Sequence, residues 1–333
     1  MKKILIIAEA GVNHNGSMKL AKKLVDAAKS SGADIVKFQK FKAETLATSF
    51  APKAKYQIVK NKKENQFNML RKLELSEKNH IKLKKYCKKK NIEFLSSGFD
   101  ITDILFLKNL NLKRYKIPSG EITNYFYLKK IASLKKNAIL STGMSTIKEI
   151  KDAVNILKKN GLKNNNITLL HCTTDYPAHA KDLNLRAIIT LKEKFKLEVG
   201  YSDHSLGTDT ALVAVGLGAK VIEKHITLNR KYLGPDHRSS LEPKKFKEMV
   251  NKIRIAEKSL GDGKKTPTVN EKININIVRK SIVAKLPIKK GEKFTNKNLT
   301  FKRPGTGISP MIVNKIFGKF AKKNFKKDEI IKI

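Results

Sequence analysis

Cysteine is scarce in this sequence of 333 residues, with only Cys87 and Cys172 present. Two cysteines are too few for a disulfide framework, and they lack the paired spacing of a cysteine-type zinc site. We therefore interpret both as buried free thiols. With 40% hydrophobic residues, the chain can still bury a sizeable core without cross-links.

Long apolar runs are absent as well. No segment approaches the ~18 consecutive apolar residues that a membrane helix requires. The start, MKKILIIAEAG, imitates a signal peptide, but its apolar run ends at Glu9 and is shorter than the ~7 to 15 residues of a signal core. We interpret this run as a first β-strand, so we expect a soluble, cytoplasmic protein with no membrane partner.

Acidic residues are few, and the net charge is +42. Such a charge is typical of nucleic-acid binding, but only eight of the 71 basic residues are arginine, the residue that reads bases with two parallel hydrogen bonds. The lysines are also scattered along polar helix faces. The composition therefore favours no nucleic-acid partner, although the charge would help to attract small anionic substrates.

Strand and helix patterns alternate from residue 3 to about residue 261, which predicts a (β/α)8 TIM barrel over residues 1–265. A doubly wound sheet is the alternative, but its dinucleotide loop would carry GxGxxG, and the first strand here is followed by GVNHNG. The eight predicted strands are KILIIAEAG, DIVKFQKF, IEFLSSGF, RYKIPSGE, NAILSTGM, ITLLHCTT, LEVGYSDH and KVIEKHIT.

The texture of the chain changes after Gly261. Residues 266–276 are polar and are interpreted as a linker. Short strand patterns with turn glycines and prolines follow, and they predict a small β-rich domain over residues 277–333. A module of this size is near the lower limit of independent stability, so we expect it to dock on another surface.

Polar side chains stand where each predicted strand ends. In a (β/α)8 barrel these ends converge on one mouth, so we expect the side chains to be neighbours. The set comprises Glu9, Lys37, Gln39, Ser96, Ser97, Lys116, Ser119, Glu121, Ser141, Thr142, His171, Thr173, Thr174, Tyr176, Ser202, Asp203, His204, Glu223, Lys224 and His225.

This ring contains two chemical kinds. The first would bind the phosphate and carboxylate of one small molecule, and it consists of Lys37, Lys116 and the hydroxyls of Ser97, Ser119, Ser141 and Ser202. The second is a possible metal site made of Glu9, His204 and His225. Two imidazoles with room for water fit an open Lewis-acid site for a divalent metal, Mn²⁺ or Mg²⁺, better than a closed zinc site.

The motifs AEAGVNHNG, VKFQKFKAE, KIPSGE, STGMST, LLHCTTDYP, GYSDHS, EKHITL, GPDH and KRPGTGISP together resemble the sialic acid synthase family. The tail is similar to that family's antifreeze-like SAF domain. The resemblance covers essentially the whole chain. It implies that phosphoenolpyruvate is condensed with an N-acetylated hexosamine to give a nine-carbon 2-keto sugar acid and phosphate.

The resemblance also implies roles for single residues. His204 and His225 would ligate the metal, with Glu9 contacting it through water, and Glu9 and Glu121 would steer protons or water. The phosphoenolpyruvate would lie against the lysines and serines named above. The amino sugar would face Gln39, Glu121, Tyr176 and Asp236, and Arg303 of the SAF lid would reach its N-acetyl region. In this family the lid covers the barrel of a partner subunit, so a homodimer with exchanged lids is expected.

Several alternatives stay open on the sequence. The acceptor sugar is N-acetylmannosamine, leading to N-acetylneuraminate, or a 2,4-diacetamido-2,4,6-trideoxymannose, leading to N,N'-diacetyllegionaminate; pseudaminate synthesis is a third choice. A Schiff-base aldolase on the same barrel would use Lys116 or Lys224. A polyanion-binding protein, which belongs to a different class, would need no ring of polar strand ends.

Overall fold

The computed structural model describes residues 3–58 and 64–333. The chain divides into two compact units, Met1–Asp262 and Gly263–Ile333. Residues 1, 2 and 59–63 of the predicted barrel lie outside the described residues. Within the described ranges, no helix combines the length and the apolar character needed to cross a bilayer.

The first unit is built on a closed barrel of eight parallel strands. Each strand pairs with the next along the chain, and β1 pairs with β8 to complete the ring, so the predicted TIM barrel is confirmed. The strands are β1 (Leu5–Gly11), β2 (Ile35–Lys40), β3 (Glu93–Gly98), β4 (Arg114–Ile117), β5 (Asn137–Ser141), β6 (Ile167–Cys172), β7 (Glu198–Asp203) and β8 (Val221–His225).

Helices surround the barrel at the eight places that the apolar periodicity predicts. For example, Thr146 and Glu149 form a reciprocal capping box at the start of α7, and the buried residues of α7 recur at helical spacing from Ile150 to Leu157. The eight are α1 (Met18–Ser30), α4 (Glu77–Lys89), α5 (Ile101–Asn109), α6 (Tyr125–Ser133), α7 (Ile147–Lys159), α8 (Ala187–Phe195), α9 (Asp209–Gly216) and α10 (Pro243–Ser259).

Among the described residues between β2 and α4 lie two further helices, which the periodicity did not reveal. They are α2 (Ala43–Leu46) and α3 (Gln66–Leu73). Both are short, so the sequence pattern alone is weak. Their apolar residues form a small cluster of their own, separate from the main core, which includes Val12, Phe41 and Met69.

The barrel interior explains where a site can form. Six apolar side chains, Ile7, Ile35, Leu95, Ile139, Leu170 and Val221, fill one level of it. Because side chains alternate along a strand, the residue two positions later points inward as well. On the six strands, in the same order, these later residues are Glu9, Lys37, Ser97, Ser141, Cys172 and Glu223. An apolar floor therefore lies beneath a polar layer nearer the carboxyl ends of the strands.

The second unit contains one helix and little regular sheet. Helix α11 (Val269–Val278) begins with a capping box between Thr268 and Glu271, and it occupies most of the segment interpreted as a linker. Strands β9 (Ser281–Ala284) and β10 (Leu299–Lys302) pair antiparallel, and single bridges such as Ile288 to Phe325 extend the pairing. A separate apolar core, which includes Ile282, Phe294 and Phe325, supports this small β-rich fold.

Candidate active site

A cavity of about 310 Å³ opens at the carboxyl ends of the barrel strands. It brings together twelve of the residues to which the sequence analysis gave a role, although they are spread over more than 220 positions of the chain. These are Glu9, Lys37, Gln39, Ser97, Lys116, Ser119, Ser141, Tyr176, Ser202, His204, His225 and Asp236.

Glu121 and Arg303, which were expected to contact the sugar, do not line this cavity. Glu121 is half-buried, and its Oε2 accepts a hydrogen bond of 2.7 Å from Asn124 Nδ2, while the neighbouring Ser119 and Gly120 do line the cavity. Burial raises the pKa of Glu121. Arg303 belongs to the C-terminal unit and is exposed.

Some strand-end residues point away from the mouth. Ser96, Asp203 and Lys224 are buried but do not line the cavity, because they alternate with the inward-facing residues on their strands. Lys224 is paired with Asp203 at 2.8 Å, and both side chains are 0% exposed. A substrate in the cavity therefore cannot reach Lys224, which removes it as a Schiff-base candidate.

Two lysines and two carboxylates form an ion network within the cavity. Lys37 Nζ lies 2.9 Å from Glu9 Oε2 and 3.6 Å from Glu223 Oε1, and Lys116 Nζ lies 3.0 Å from Glu223 Oε1. All four side chains are almost fully buried. Glu223 had been placed at the mouth without a role, and its contacts with both lysines show its importance. The sequence did contain a signal for Glu223. It lies two residues after the inward-facing Val221, just as Glu9 lies two residues after the inward-facing Ile7.

The electrostatics of this network favour the charged forms of Glu223 and Lys37. Burial opposes the charge of Glu223, but Lys116 and Lys37 outweigh it and lower the pKa of Glu223 to about 2. Burial likewise opposes the charge of Lys37, yet Glu223 and Glu9 together raise its pKa. Burial raises the pKa of Glu9, with Lys37 acting against that effect. The pKa of Lys116 is lowered by burial, which Glu223 partly offsets.

The four predicted hydroxyls lie against this network and a glycine loop. Ser202 Oγ donates to Glu223 Oε1 at 3.1 Å, and Lys37 Nζ donates to Ser97 Oγ at 3.4 Å. Ser119 Oγ accepts from Gly143 N at 3.0 Å. Ser141 Oγ is buried and has no hydrogen-bond partner among the described residues. A buried, unpaired hydroxyl is costly, so Ser141 is suited to bind a ligand oxygen.

Gly143 is needed for this arrangement. A Cβ atom at this position would lie 2.2 Å from Thr174 Oγ1 and 2.9 Å from Ser119 Oγ, so it would displace both hydroxyls. Glycine therefore allows the loop after β5 to approach the serines closely.

The two imidazoles meet at the ends of β7 and β8. The ring centroids of His204 and His225 are 5.5 Å apart. His204 Nδ1 lies 2.7 Å from the carbonyl oxygen of Thr173, which assigns the proton to Nδ1 and leaves Nε2 as a free lone pair. His225 Nδ1 has no hydrogen-bond partner among the described residues and lies 3.7 Å from Asp236 Oδ2.

These imidazoles are held in the neutral form that binds metals. Burial lowers the pKa of His204 to about 4, and burial together with His204 lowers the pKa of His225 well below its ordinary value. Burial and the charge of Glu9 raise the pKa of the adjacent Asp236 to about 7. Among the described residues, no group of three or more His, Cys, Asp and Glu side chains is arranged to hold a metal ion. His204 and His225 supply two imidazole nitrogens that could hold a cation, with water or substrate filling the other positions.

Aromatic and apolar side chains form another part of the cavity wall. The Tyr176 ring lies 4.1 Å from the His204 ring and 4.6 Å from the Tyr56 ring, measured between centroids. Burial raises the pKa of both phenols, so they are neutral. The sequence analysis did not foresee Tyr56 or a group of six apolar residues that line the cavity: Val12, Leu46, Met69, Leu70, Leu73 and Phe99. We call these six residues the apolar wall.

Comparison with known proteins matches two family models to this chain. The NeuB family model matches residues 24–265, and the SAF domain model matches residues 279–333. The chain belongs to the NeuB family. The resemblance to sialic acid synthases is thus confirmed, and the chain is an enzyme of the type that condenses phosphoenolpyruvate with an N-acetylated hexosamine.

Individual relatives agree along the whole chain. An N,N'-diacetyllegionaminic acid synthase of Campylobacter jejuni is 56% identical over 100% of both chains. An enzyme of the same name from Legionella pneumophila is 49% identical over 94% of this chain and 89% of its own. The crystal structure of a sialic acid synthetase from Leptospira borgpetersenii, in complex with citrate, is 36% identical with a TM-score of 0.74, covering 82% of this chain and 90% of the other.

Proposed function

We propose that this family member condenses phosphoenolpyruvate with 2,4-diacetamido-2,4,6-trideoxymannose to give N,N'-diacetyllegionaminate and phosphate. The observation that carries the chemistry is a single cavity that contains two buried lysines and two neutral imidazoles. The sequence analysis placed N-acetylmannosamine first. The names of the two relatives with the higher identities support the trideoxy sugar instead.

Phosphoenolpyruvate would bind to Lys37 and Lys116 and to the hydroxyls of Ser97, Ser119, Ser141 and Ser202. Glu9 and Glu223 stabilise the positive charge of these lysines in the buried site before the substrate arrives. The unpaired Ser141 Oγ and the Gly143 loop provide positions for substrate oxygens. Arrival of an anion would then exchange ion-pair partners without having to generate the charges.

We further propose that His204 and His225 hold a divalent cation, Mn²⁺ or Mg²⁺, which Glu9 contacts through water. Such a cation would act as a Lewis acid toward the aldehyde of the open-chain sugar. The carbonyl of Thr173 fixes the ring of His204 with Nε2 free. Burial keeps both rings unprotonated at neutral pH, so no proton has to leave before the cation binds.

The reaction forms one carbon–carbon bond and replaces the phosphate oxygen on carbon 2 by an oxygen from water. Carbon 3 of phosphoenolpyruvate attacks carbon 1 of the sugar, whose oxygen takes a proton. Water then adds to carbon 2 and loses one proton. The remaining hydroxyl loses its proton as the bond between carbon 2 and the phosphate oxygen breaks, which gives the 2-keto acid and a phosphate that takes up a proton. Glu9 is our candidate for moving these protons, because Gln39 Nε2 and Lys37 orient its carboxylate within the cavity. Glu121, the second expected candidate, does not line the cavity.

The sugar would lie against Gln39, Tyr176 and Asp236, with the apolar wall nearby. The trideoxy sugar has a methyl group in place of the carbon 6 hydroxymethyl group, and an acetamido group in place of the carbon 4 hydroxyl. A methyl group gains about 0.8 kcal/mol from an apolar contact, whereas a buried hydroxyl without a partner costs about 1–3 kcal/mol. The apolar wall therefore favours the trideoxy sugar.

The lid function of the C-terminal unit also belongs to this proposal. The family resemblance implies a homodimer in which Arg303 of the SAF domain approaches the N-acetyl region of the sugar bound to a partner subunit. An exposed arginine in a domain with its own core is compatible with such a role.

Phosphate release measured with phosphoenolpyruvate and a panel of acceptors tests the proposal. The panel contains 2,4-diacetamido-2,4,6-trideoxymannose, N-acetylmannosamine and a 2,4-diacetamido-trideoxy sugar of different ring configuration. We expect the first to have at least about a tenfold higher kcat/KM than N-acetylmannosamine, since tenfold corresponds to about 1.4 kcal/mol. A preference for N-acetylmannosamine would overturn the choice of sugar, and no phosphate release with any acceptor would overturn the reaction.

A further inference from the structure

Behind the two imidazoles lies a buried ion pair that does not belong to the cavity. Lys224 Nζ is 2.8 Å from Asp203 Oδ2, and both side chains are 0% exposed. Neither residue lines the active-site cavity. A buried ion pair is weak evidence for stability, because desolvation offsets much of the attraction between the charges. Its position suggests a different role.

The ion pair holds the backbone of Ser205, the residue directly after His204. Asp203 Oδ1 accepts hydrogen bonds from the backbone nitrogen of Ser205 at 2.8 Å and from its Oγ at 2.7 Å. Lys224 Nζ donates to the carbonyl oxygen of Ser205 at 2.5 Å. Both peptide groups of Ser205 are thus tied to the ion pair, and His204 lies between Asp203 and Ser205.

The same pair joins the two strands that carry the imidazoles. Asp203 of β7 lies opposite Lys224 of β8 in the strand register. Because side chains alternate, the next residue along the chain faces the cavity in both cases. These residues are His204, directly after β7, and His225, the last residue of β8. Thr210 Oγ1 in α9 donates to Asp203 Oδ2 at 2.8 Å, which connects the pair to the surrounding helix. A shift of either charged residue would therefore shift an imidazole.

We infer that Asp203 and Lys224 are positioning residues that set the separation and direction of the two metal-binding imidazoles. This inference rests on the proposed metal site. It assigns to the pair the role that outer hydrogen-bond partners play in metal sites, where they orient the ligands and their loss weakens metal affinity although the ligand residues are unchanged.

The chain contains a matched control for the loss of a buried ion pair. Lys40 and Asp103 are paired at 2.8 Å, with side-chain exposures of 3% and 2%. They lie on β2 and α5, and neither lines the cavity. Lys40→Met and Lys224→Met each leave one buried carboxylate without its cation, so both variants carry the same kind of structural defect.

The test is the dissociation constant of Mn²⁺, measured by electron paramagnetic resonance of free Mn²⁺ with neither substrate present. We expect Lys224→Met to weaken Mn²⁺ binding by about tenfold or more and Lys40→Met to change it less than about twofold. Circular dichroism checks that each variant is folded. Because Lys224→Met can prevent folding, Asp203→Asn combined with Lys224→Met serves as a second variant without an unpaired buried charge.

The results separate this inference from the proposal on which it rests. If His225→Ala binds Mn²⁺ as tightly as the wild type, the proposed metal site is wrong. If His225→Ala loses binding while the folded Lys224→Met or double variant keeps wild-type affinity, the metal site stands and the positioning role is overturned. Equal weakening by Lys40→Met would also overturn it, because the effect would then be general to broken buried pairs.

Discussion

The carboxylate of Glu223 lies 3.0 Å from the Nζ atom of Lys116. The atom in contact is Glu223 Oε1. It also lies 3.6 Å from Lys37 Nζ and accepts a hydrogen bond from Ser202 Oγ. One acid from the last barrel strand therefore supports three members of the proposed phosphoenolpyruvate site. Two lysines this close together in a buried site repel each other, and Glu223 offsets that repulsion.

Replacement of Glu223 by Gln should make phosphoenolpyruvate use sensitive to alkaline pH. Burial already lowers the pKa of Lys116, and without Glu223 this pKa falls further. Lys116 then loses its charge as pH rises through the lower value. We expect kcat/KM for phosphoenolpyruvate to decline at a pH lower by about one unit or more than in the wild type. The measurement is the pH profile of phosphate release at saturating sugar.

Glu223→Asp is the control, since it keeps the negative charge and changes only its reach. Its alkaline limit should stay closer to that of the wild type. An unchanged pH profile for Glu223→Gln would show that Glu223 does not maintain the charge of the lysines.

The barrel itself was predictable from the sequence. Eight strand patterns alternated with eight helix patterns, and each gave an observed element, because apolar periodicity reports directly which face of an element is buried. The same reasoning grouped the strand-end residues, since parallel strands in a closed barrel must end at one mouth.

The details of the mouth were less predictable. Tyr56 and the apolar wall come largely from the segment between β2 and α4, whose helices α2 and α3 are too short to show a clear period. Asp203 and Lys224 point away from the cavity because successive side chains of a strand point to opposite faces. Grouping residues only by their position at a strand end does not take these directions into account. Helix α11 has a capping box in its sequence, but its polar composition favoured a linker.

Removal of the proposed metal ligand should abolish metal-dependent activity. We expect His225→Ala to reduce phosphate release by at least about a hundredfold at saturating Mn²⁺, because an outer contact alone is worth about tenfold to a hundredfold. Chelation of the wild type with EDTA should give the same loss, and added Mn²⁺ should restore the wild type but not the variant.

His80→Ala is a matched control for the loss of a buried imidazole. His80 is also 0% exposed, but it lies in α4 and packs against Phe94 and Phe106. The folded fraction of this variant should keep its activation by Mn²⁺. Substantial activity of His225→Ala at saturating Mn²⁺ would contradict the assignment of His225 as a ligand.

Loss of Arg303, the arginine of the proposed lid, should affect the KM for the sugar more than the KM for phosphoenolpyruvate. We expect Arg303→Ala to raise KM for the sugar by about tenfold. A hydrogen bond to a charged group contributes about 1.5–3 kcal/mol, and the lower end of that range corresponds to about tenfold. KM for phosphoenolpyruvate should change little. Initial rates with each substrate varied in turn provide the measurement. Lys302→Ala is the control, because Lys302 is the adjacent basic residue and its partner Asp328 belongs to the same unit. Equal losses for both substrates in Arg303→Ala would argue against a sugar-facing role.

The apolar wall should determine the choice between the two candidate sugars. Leu70 in α3 lines the cavity and is half-buried, so a polar replacement there changes the wall without opening the main core. We expect Leu70→Gln to lower kcat/KM for 2,4-diacetamido-2,4,6-trideoxymannose by about tenfold, equivalent to about 1.4 kcal/mol of lost apolar contact. N-acetylmannosamine should lose less, because its hydroxyl groups can form hydrogen bonds with the new amide. Asn68→Ala, an exposed change on the same helix, controls for an effect on α3 itself. If both sugars lose activity equally in Leu70→Gln, the wall supports the site but does not select the substrate.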